Sequence, residues 1–488
     1  MAEASRRVSL PASPHEFAAL IGDKLIAPGA DAIVRENPAH RSPVSRYPNL
    51  GAKGALEAIA AARKAADSRV WSSMSGAARA KVLLEVARRI EAEIETLRGI
   101  ESFETGKPLA NAEREMRGAA AHWEYAATLA RHTYGDTYDT LGSNQLALVL
   151  REPVGVVAMI TPWNYPLVII SQKLPFALAV GCSVVVKPSE MTSGTTLALG
   201  RILREAGLPP GVVNIVPGYG HDVGAALCDS PDVDAISFTG STGVGKKIAA
   251  KAGAGLKKLS LELGGKSAHI VCADADLDAA AQKVAIGATR NSGQACVSGS
   301  RLLVEKKVAG AFVERVMAHM KAIKVGDPLE FSTEMGPLVS AAQHARVEGF
   351  IAAGKRDGAK HWSAGNVPDG WYVPPTVFTG VDPASSIARE EIFGPVLSVI
   401  EFDTVDKAIE IANGTSYGLS AGVWTRDLDK AFRFGRGLAA GTVEVNTYMA
   451  GAPELPLAGR KDSGLGHERG RFAVDEFTHL KTIQLQLS

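Results

Sequence analysis

An alternation of short strands and helices constrains this chain more than any other feature. Val154–Ile160, Ser183–Lys187, Val212–Val216 and Ala235–Thr239 are β-rich runs, each followed by a turn and usually by a helical segment. Strand and helix at this pitch build βαβ units and a parallel sheet, whose ligands sit beyond the carboxyl ends of the strands. Thr192–Ala206 is the clearest helix, with Leu197, Ile202 and Leu203 apolar and Gly207-Leu208-Pro209-Pro210 as its stop. A second α/β region follows Gly265, with a helix at Leu277–Thr289, a strand at Arg301–Glu305 and a helix at Val308–Ile323. It continues through Ala408–Asn413 and Ala421–Trp424 to Gly441–Asn446.

Upstream, residues 53–129 are mostly helical, as in Ala78–Glu93, where Val82, Leu83, Val86 and Ile90 recur at spacings of three and four. Tyr134–Val149 and the tail Phe472–Ser488 instead predict extended ribbon, and a polar, exposed ribbon commonly pairs with another copy of the chain. A homodimer or homotetramer is therefore expected.

With 488 residues the chain needs two or three cores. A net charge of +1 gives no reason to expect nucleic acid or a membrane surface as partner. The most apolar stretch, Tyr165–Val186, is interrupted by Gln172, Lys173 and two prolines, so no membrane span is expected. Four scattered cysteines, Cys182, Cys228, Cys272 and Cys296, form no CxxC pair, which argues against a disulfide framework and against a metal site. Free thiols fit a reducing, cytoplasmic compartment.

Residues just after the strands are the ones to inspect. Gly240-Ser241-Thr242-Gly243-Val244-Gly245-Lys246-Lys247 joins a strand to a helix, where backbone N–H groups can meet phosphate. As a P-loop it fails at Lys247, where a Ser or Thr is required, and Gly240, Gly243 and Gly245 do not give the dinucleotide spacing either. A plain tight turn stays open. Glu190, in Lys187-Pro188-Ser189-Glu190, could hold ribose hydroxyls and repel a 2′-phosphate, favouring NAD over NADP, or could simply pair with Lys187 in solvent. Asn164, set among prolines and aromatics, is either a fixed amide donor for an oxyanion or a turn residue satisfying its own backbone. Glu262 between apolar neighbours is a base of raised pKa or a strand carboxylate facing water. Cys296, at the end of Asn291-Ser292-Gly293-Gln294-Ala295-Cys296, is a nucleophile or a buried structural thiol.

Taken together these stretches resemble the aldehyde dehydrogenase superfamily over nearly the whole chain, with a flavour of its betaine-aldehyde-type members. Pro162-Trp163-Asn164-Tyr165-Pro166, Lys187-Pro188-Ser189-Glu190 and Phe238-Thr239-Gly240-Ser241-Thr242 carry the likeness, with Glu262-Leu263-Gly264-Gly265-Lys266-Ser267, Gly293-Gln294-Ala295-Cys296 and Glu391-Ile392-Phe393-Gly394-Pro395-Val396. The resemblance implies a Rossmann-like NAD-binding domain at 1–134 and 153–262, an α/β catalytic domain at 263–470, and an oligomerisation ribbon at 135–152 and 471–488. It implies NAD-dependent oxidation of an aldehyde to its acid. Cys296 would attack the carbonyl, Asn164 and the Cys296 N–H would hold the oxyanion, Glu262 would activate water, and Lys173 would assist proton movement. Trp163, Lys187, Ser189, Glu190, Gly218, Phe238, Gly240, Ser241, Gly243, Gly245, Leu263, Gly264, Glu391 and Phe393 would surround NAD.

Glu262 argues against a CoA-acylating relative, and the intact Asn164, Glu262 and Cys296 argue against a non-catalytic NAD-binding scaffold. Departures from the family pattern gather elsewhere, at Gly243, Ala268, Glu444 and Leu457-Ala458. The expected substrate wall, Tyr165, Gln172, Ala295, Val297 and Leu457, is uncharged and lacks the aromatic cage that a trimethylammonium aldehyde wants. An uncharged, partly apolar or hydroxylated aldehyde is thus expected, with betaine aldehyde or another aminoaldehyde as the alternative.

Overall fold

The computed structural model describes residues 7–487. Its centre is an eight-stranded sheet, ordered Gly464–Leu465, Lys258–Glu262, Ala235–Thr239, Val156–Ile160, Ser183–Lys187, Val213–Ile215, Ala19–Ile21 and Lys24–Ile26. The strands from Lys258–Glu262 to Val213–Ile215 all run parallel. Val156–Ile160, Ser183–Lys187 and Ala235–Thr239 are buried along their whole length. That explains their continuous apolar reading, because helices cover both faces of a parallel sheet.

A second sheet of seven strands runs Lys360–Ser363, Thr376–Thr379, Val396–Phe402, Arg301–Glu305, Ala268–Val271, Ser420–Trp424 and Thr442–Val445. It is parallel except at its first pair. The short stretch 263–267 joins Glu262, the last residue of a strand in the first sheet, to Ala268, the first residue of a strand in the second. The carboxyl edge of one sheet therefore faces the amino edge of the other.

The helix Gly76–Ala92 buries Leu83, Val86 and Ile90 as its spacing requires, and packs on the long helix Leu109–Arg131. From that long helix Trp123, fully buried, donates Nε1–H to Ser171 Oγ at 3.1 Å. Ser171 ends the helix Pro166–Ser171, which starts two residues after Asn164, so this packing anchors the loop that carries Asn164.

Ribbon forms where the sequence predicts it. Gln145–Pro153 pairs antiparallel with Asp136–Tyr138 and, over nine residues, with Thr478–Gln486. The first residues of the predicted extended tail are instead a short helix at Ala473–Glu476, whose Ala473 and Val474 are buried against the first core. Among the described residues no helix is long and apolar enough to cross a membrane.

Trp123→Ala should remove a buried indole and its hydrogen bond, costing roughly 3–5 kcal/mol. A fall of several degrees in the thermal unfolding temperature would show it; an unchanged temperature would mean that this packing does not support the loop.

Candidate active site

The cysteine loop is held in an expensive conformation. Asn291 and Ser292 both adopt left-handed backbone angles (φ 52° and 57°), and Gly293 follows at φ 73°. Left-handed non-glycine residues cost of order 1–3 kcal/mol each and persist only where their surroundings fix them. Here Asn291 Nδ2 donates to the carbonyls of Asn164 and Gln294, both at 3.1 Å. Ser292 Oγ donates to the Gly336 carbonyl, and Gln294 Oε1 accepts from the Val339 N–H. A Cβ on Gly293 would lie 2.1 Å from the Gly394 carbonyl oxygen. On the other side, a Cβ on Gly265 would lie 2.4 Å from the Cys296 carbonyl oxygen, so only glycine lets the 263–267 link approach the cysteine.

Cys296 is half-buried at the point where two cavities meet. Burial, then the carboxylates of Glu262, Glu391 and Glu468, push its thiol up to about 12. The thiol is therefore neutral at physiological pH and needs a base to become a nucleophile. Its own backbone N–H takes no partner among the described residues. Asn164, also buried, donates Nδ2–H to the Gln294 carbonyl at 3.0 Å and leaves Oδ1 unpartnered.

Glu262 is 3% exposed, and neither carboxylate oxygen has a hydrogen-bond partner. It does not face water as an ordinary strand carboxylate would. Burial and then Glu468 hold its pKa well above the usual range, against the opposing charges of Lys173 and Arg469. Lys173, fully buried, donates to Ser237 Oγ at 2.9 Å and forms a close ion pair with Glu468. Glu468, which also accepts from Thr239 Oγ1, carries no local sequence signal and only the fold brings it here.

One cavity runs past Trp163, Asn164, Gly240, Ser241, Leu263, Gly264, Glu391 and Phe393 to Cys296. The Trp163 and Phe393 rings meet edge to face at 5.3 Å, and Glu391 Oε1 accepts from the Gly265 N–H. Gln343 and Arg346, from the helix Ala341–Arg356, also line it and were not singled out in the sequence. Lys187, Ser189, Glu190, Gly218, Phe238, Gly243 and Gly245 are not in its wall. Lys187 is buried and donates to the Pro188 carbonyl, with Glu190 Oε2 at 3.4 Å. The Phe238 ring lies under Gly240, and Leu263 lies so close to Gly245 that a Cβ there would sit 2.4 Å away. Lys246 turns outward to Asp462 at 2.8 Å, away from where a P-loop lysine would meet phosphate.

The second cavity, about 360 Å³, contains Tyr165, Gln172, Ala295, Val297 and Leu457 together in its wall. The wall as a whole is not uncharged. Arg114, Glu115, Arg290, Glu444 and Arg469 belong to it too, contributed by helix, strand and loop segments far apart in the chain.

A half-buried thiol at the meeting point of two cavities, with a fixed amide in one wall and an unpartnered buried carboxylate acting on it by charge, has the make-up of a cysteine-nucleophile enzyme site. The chain belongs to the aldehyde dehydrogenase family, whose profile matches residues 26–483. It is 40% identical over 453 residues to betaine aldehyde dehydrogenase of Bacillus subtilis (strain 168), covering 92% of each chain. Its fold is similar to that of an NAD-dependent aldehyde dehydrogenase from Sinorhizobium meliloti, with a TM-score of 0.95, 45% identity and coverage of 97% of this chain and 95% of that one. An aldehyde dehydrogenase from Bacillus cereus, solved as its NAD+ complex, gives a TM-score of 0.96 at 36% identity, with 99% and 100% covered.

Because the thiol pKa is raised, thiolate is the minority form at neutral pH. Alkylation of Cys296 by iodoacetamide in the cofactor-free protein should climb roughly tenfold per unit between about pH 7 and pH 10. A plateau inside that window would contradict the burial argument.

Proposed function

We propose that the protein oxidises an aldehyde to its carboxylic acid with NAD and water. The observation that carries this reading is the bare, buried Glu262 carboxylate, whose charge acts on the Cys296 thiol. Glu262 takes the thiol proton, and Sγ bonds to the aldehyde carbon to give a thiohemiacetal. Asn164 Nδ2–H and the Cys296 N–H donate to the developing oxyanion, where preset donors are worth most because the site is dry. NAD, when bound, would supply the acceptor for the hydride of the sulfur-bound carbon, leaving a thioester on Cys296. Glu262 then removes a proton from water, the hydroxyl adds to the thioester, and the C–S bond breaks to release acid and thiol. The Lys173–Glu468 pair is the next station for the proton on Glu262.

The cofactor fits the residues present. The helix Thr242–Ala254 begins with no acidic residue in its first turn and no side-chain cap, and nothing lies within 4 Å of a Cβ on Gly243. Such an N-terminus suits a pyrophosphate. Lys187 and Glu190 would hold the adenosine ribose, with Ser189 and Gly218 shaping the turns beside them. Phe238, Gly245, Leu263 and Gly264 would back the cofactor, and Trp163, Glu391 and Phe393 would flank the nicotinamide end. We assign NAD binding to residues 1–134 and 153–262, and the cysteine side of the site to 263–470.

Residues 135–152 and 471–488 are assigned to assembly of a homodimer or homotetramer. Thr478–Gln486 is an outer strand whose Leu480, Ile483 and Leu485 are exposed, which supports this. All four cysteines are free, which supports a cytoplasmic location.

Glu262→Gln should slow thiol activation and block hydrolysis, so that NADH forms slowly to about one per site with little steady turnover after it. Cys296→Ala should give no NADH at all, and Asn164→Ala should lower kcat about 10²–10³-fold. Full steady turnover in Glu262→Gln would sink the hydrolytic role. Ending the chain after Phe477 should reduce the assembly to a smaller species in sedimentation velocity; an unchanged mass would place the interface elsewhere.

A further inference from the structure

The charged residues of the substrate cavity are not equally available. Glu115 is tied to Lys107 in an ion pair. The Glu444 carboxylate accepts from the backbone N–H groups of Met449 at 2.7 Å and Ala450 at 2.8 Å. Arg114 is exposed and bonded to Asn111 Oδ1. Arg290 and Arg469 remain. Neither guanidinium has a hydrogen bond or ion pair among the described residues, and the Arg469 Nε is fully buried without a partner. Leaving a buried donor unmade costs on the order of 1–3 kcal/mol, so the fold alone gives no reason for Arg469 to point into a cavity.

We propose that Arg469, assisted by Arg290, is the anion-recognition end of this cavity, and that the enzyme prefers short aldehydes carrying a carboxylate. This rests on the aldehyde-oxidising reading above and names its substrate class. A guanidinium meets a carboxylate through parallel N–H···O bonds, which would satisfy the buried Nε. Arg469 and Cys296 line the same cavity of about 360 Å³, so the carboxylate and the carbonyl of one substrate must both fit inside it, which favours a short chain. The same arrangement disfavours a trimethylammonium aldehyde. That cation would meet two unpaired guanidiniums and a wall in which Tyr165 is the only aromatic ring besides His122. The uncharged wall expected from Tyr165, Gln172, Ala295, Val297 and Leu457 is corrected accordingly: those residues form its neutral part, Arg290 enters from the position just before the Asn291–Cys296 run, and Arg469 comes from a segment far along the chain.

A rival role for Arg469 is to favour the carboxylate form of Glu262, on which its charge also acts. That role would affect every aldehyde alike. The test is kcat/KM of the purified protein with NAD for 4-oxobutanoate, pentanal and 4-(trimethylammonio)butanal, in wild type, Arg469→Gln and Arg290→Gln. Wild type should favour 4-oxobutanoate over pentanal by roughly tenfold or more, and Arg469→Gln should cut that ratio about tenfold, mainly through KM. Arg290→Gln should cut it less. Each ratio is taken within one sample, so partial misfolding of a variant cancels.

A second readout needs neither cofactor nor turnover. The rate of Cys296 alkylation by iodoacetate relative to iodoacetamide should be higher in wild type than in Arg469→Gln. Equal losses on all aldehydes together with an unchanged alkylation ratio would overturn the proposal and leave Arg469 as a partner of Glu262. Pentanal oxidation without any carboxylate preference would overturn the proposal alone. Oxidation of no aldehyde, with the alkylation ratio still shifted, would remove the oxidising reading while keeping the anion site.

Discussion

The short link 263–267 is the constraint on which the rest of the structure depends. Fully extended, a chain spans at most about 3.6 Å per residue, so the end of Lys258–Glu262 and the start of Ala268–Val271 cannot separate far. An inner strand of one sheet is thereby tied, end to start, to an inner strand of the other. Gly265 draws the link against the cysteine loop, where any side chain would strike the Cys296 carbonyl. Glu262 ends a strand of the first sheet and Cys296 sits in a loop of the second α/β region, and the link between the sheets packs against that loop.

Electrostatically the site is built at a cost. Glu262 is buried without a hydrogen bond, and Cys296 is held neutral by that same burial and by the carboxylates around it. Neither group is comfortable in the resting protein. In the proposed reaction each becomes useful when proton transfer joins them, since a carboxylate of raised pKa is a better match for a thiol or a water proton. Lys173 and Glu468, paired behind them, keep the buried charge count near balance. A left-handed turn fixed by Asn291, Ser292 and Gln294 keeps the thiol from relaxing away.

Much of this was legible in the chain. The strands Ser183–Lys187, Ala235–Thr239 and Arg301–Glu305 form at their expected bounds, because β-branched runs between turn residues have no competing pattern. Asn164, Glu262 and Cys296 could be named because each sits in a distinctive local run, and the structure brings all three to one seam. The strand Val396–Phe402 and the helix Ala341–Arg356, with Gln343 and Arg346 in the cofactor cavity, were not read. Glu468 and Arg469 were invisible for a different reason. They lie in a loop without periodicity, and only tertiary folding decides that one faces Lys173 and the other the substrate cavity. Side chains on regular elements announce themselves by spacing, whereas loop residues acquire meaning from what they fold against.

Two cavities open on Cys296, one past Trp163 and Phe393 and the other past Tyr165 and Leu457. Traffic through the enzyme inherits that layout. A small molecule arriving on one side does not displace what already sits on the other, so neither reactant need wait behind its partner or escort it out. The sulfur acts as a party wall between two independent rooms. Selection on the substrate side can therefore reshape Arg290, Arg469 or Glu444 while the cofactor side continues unchanged.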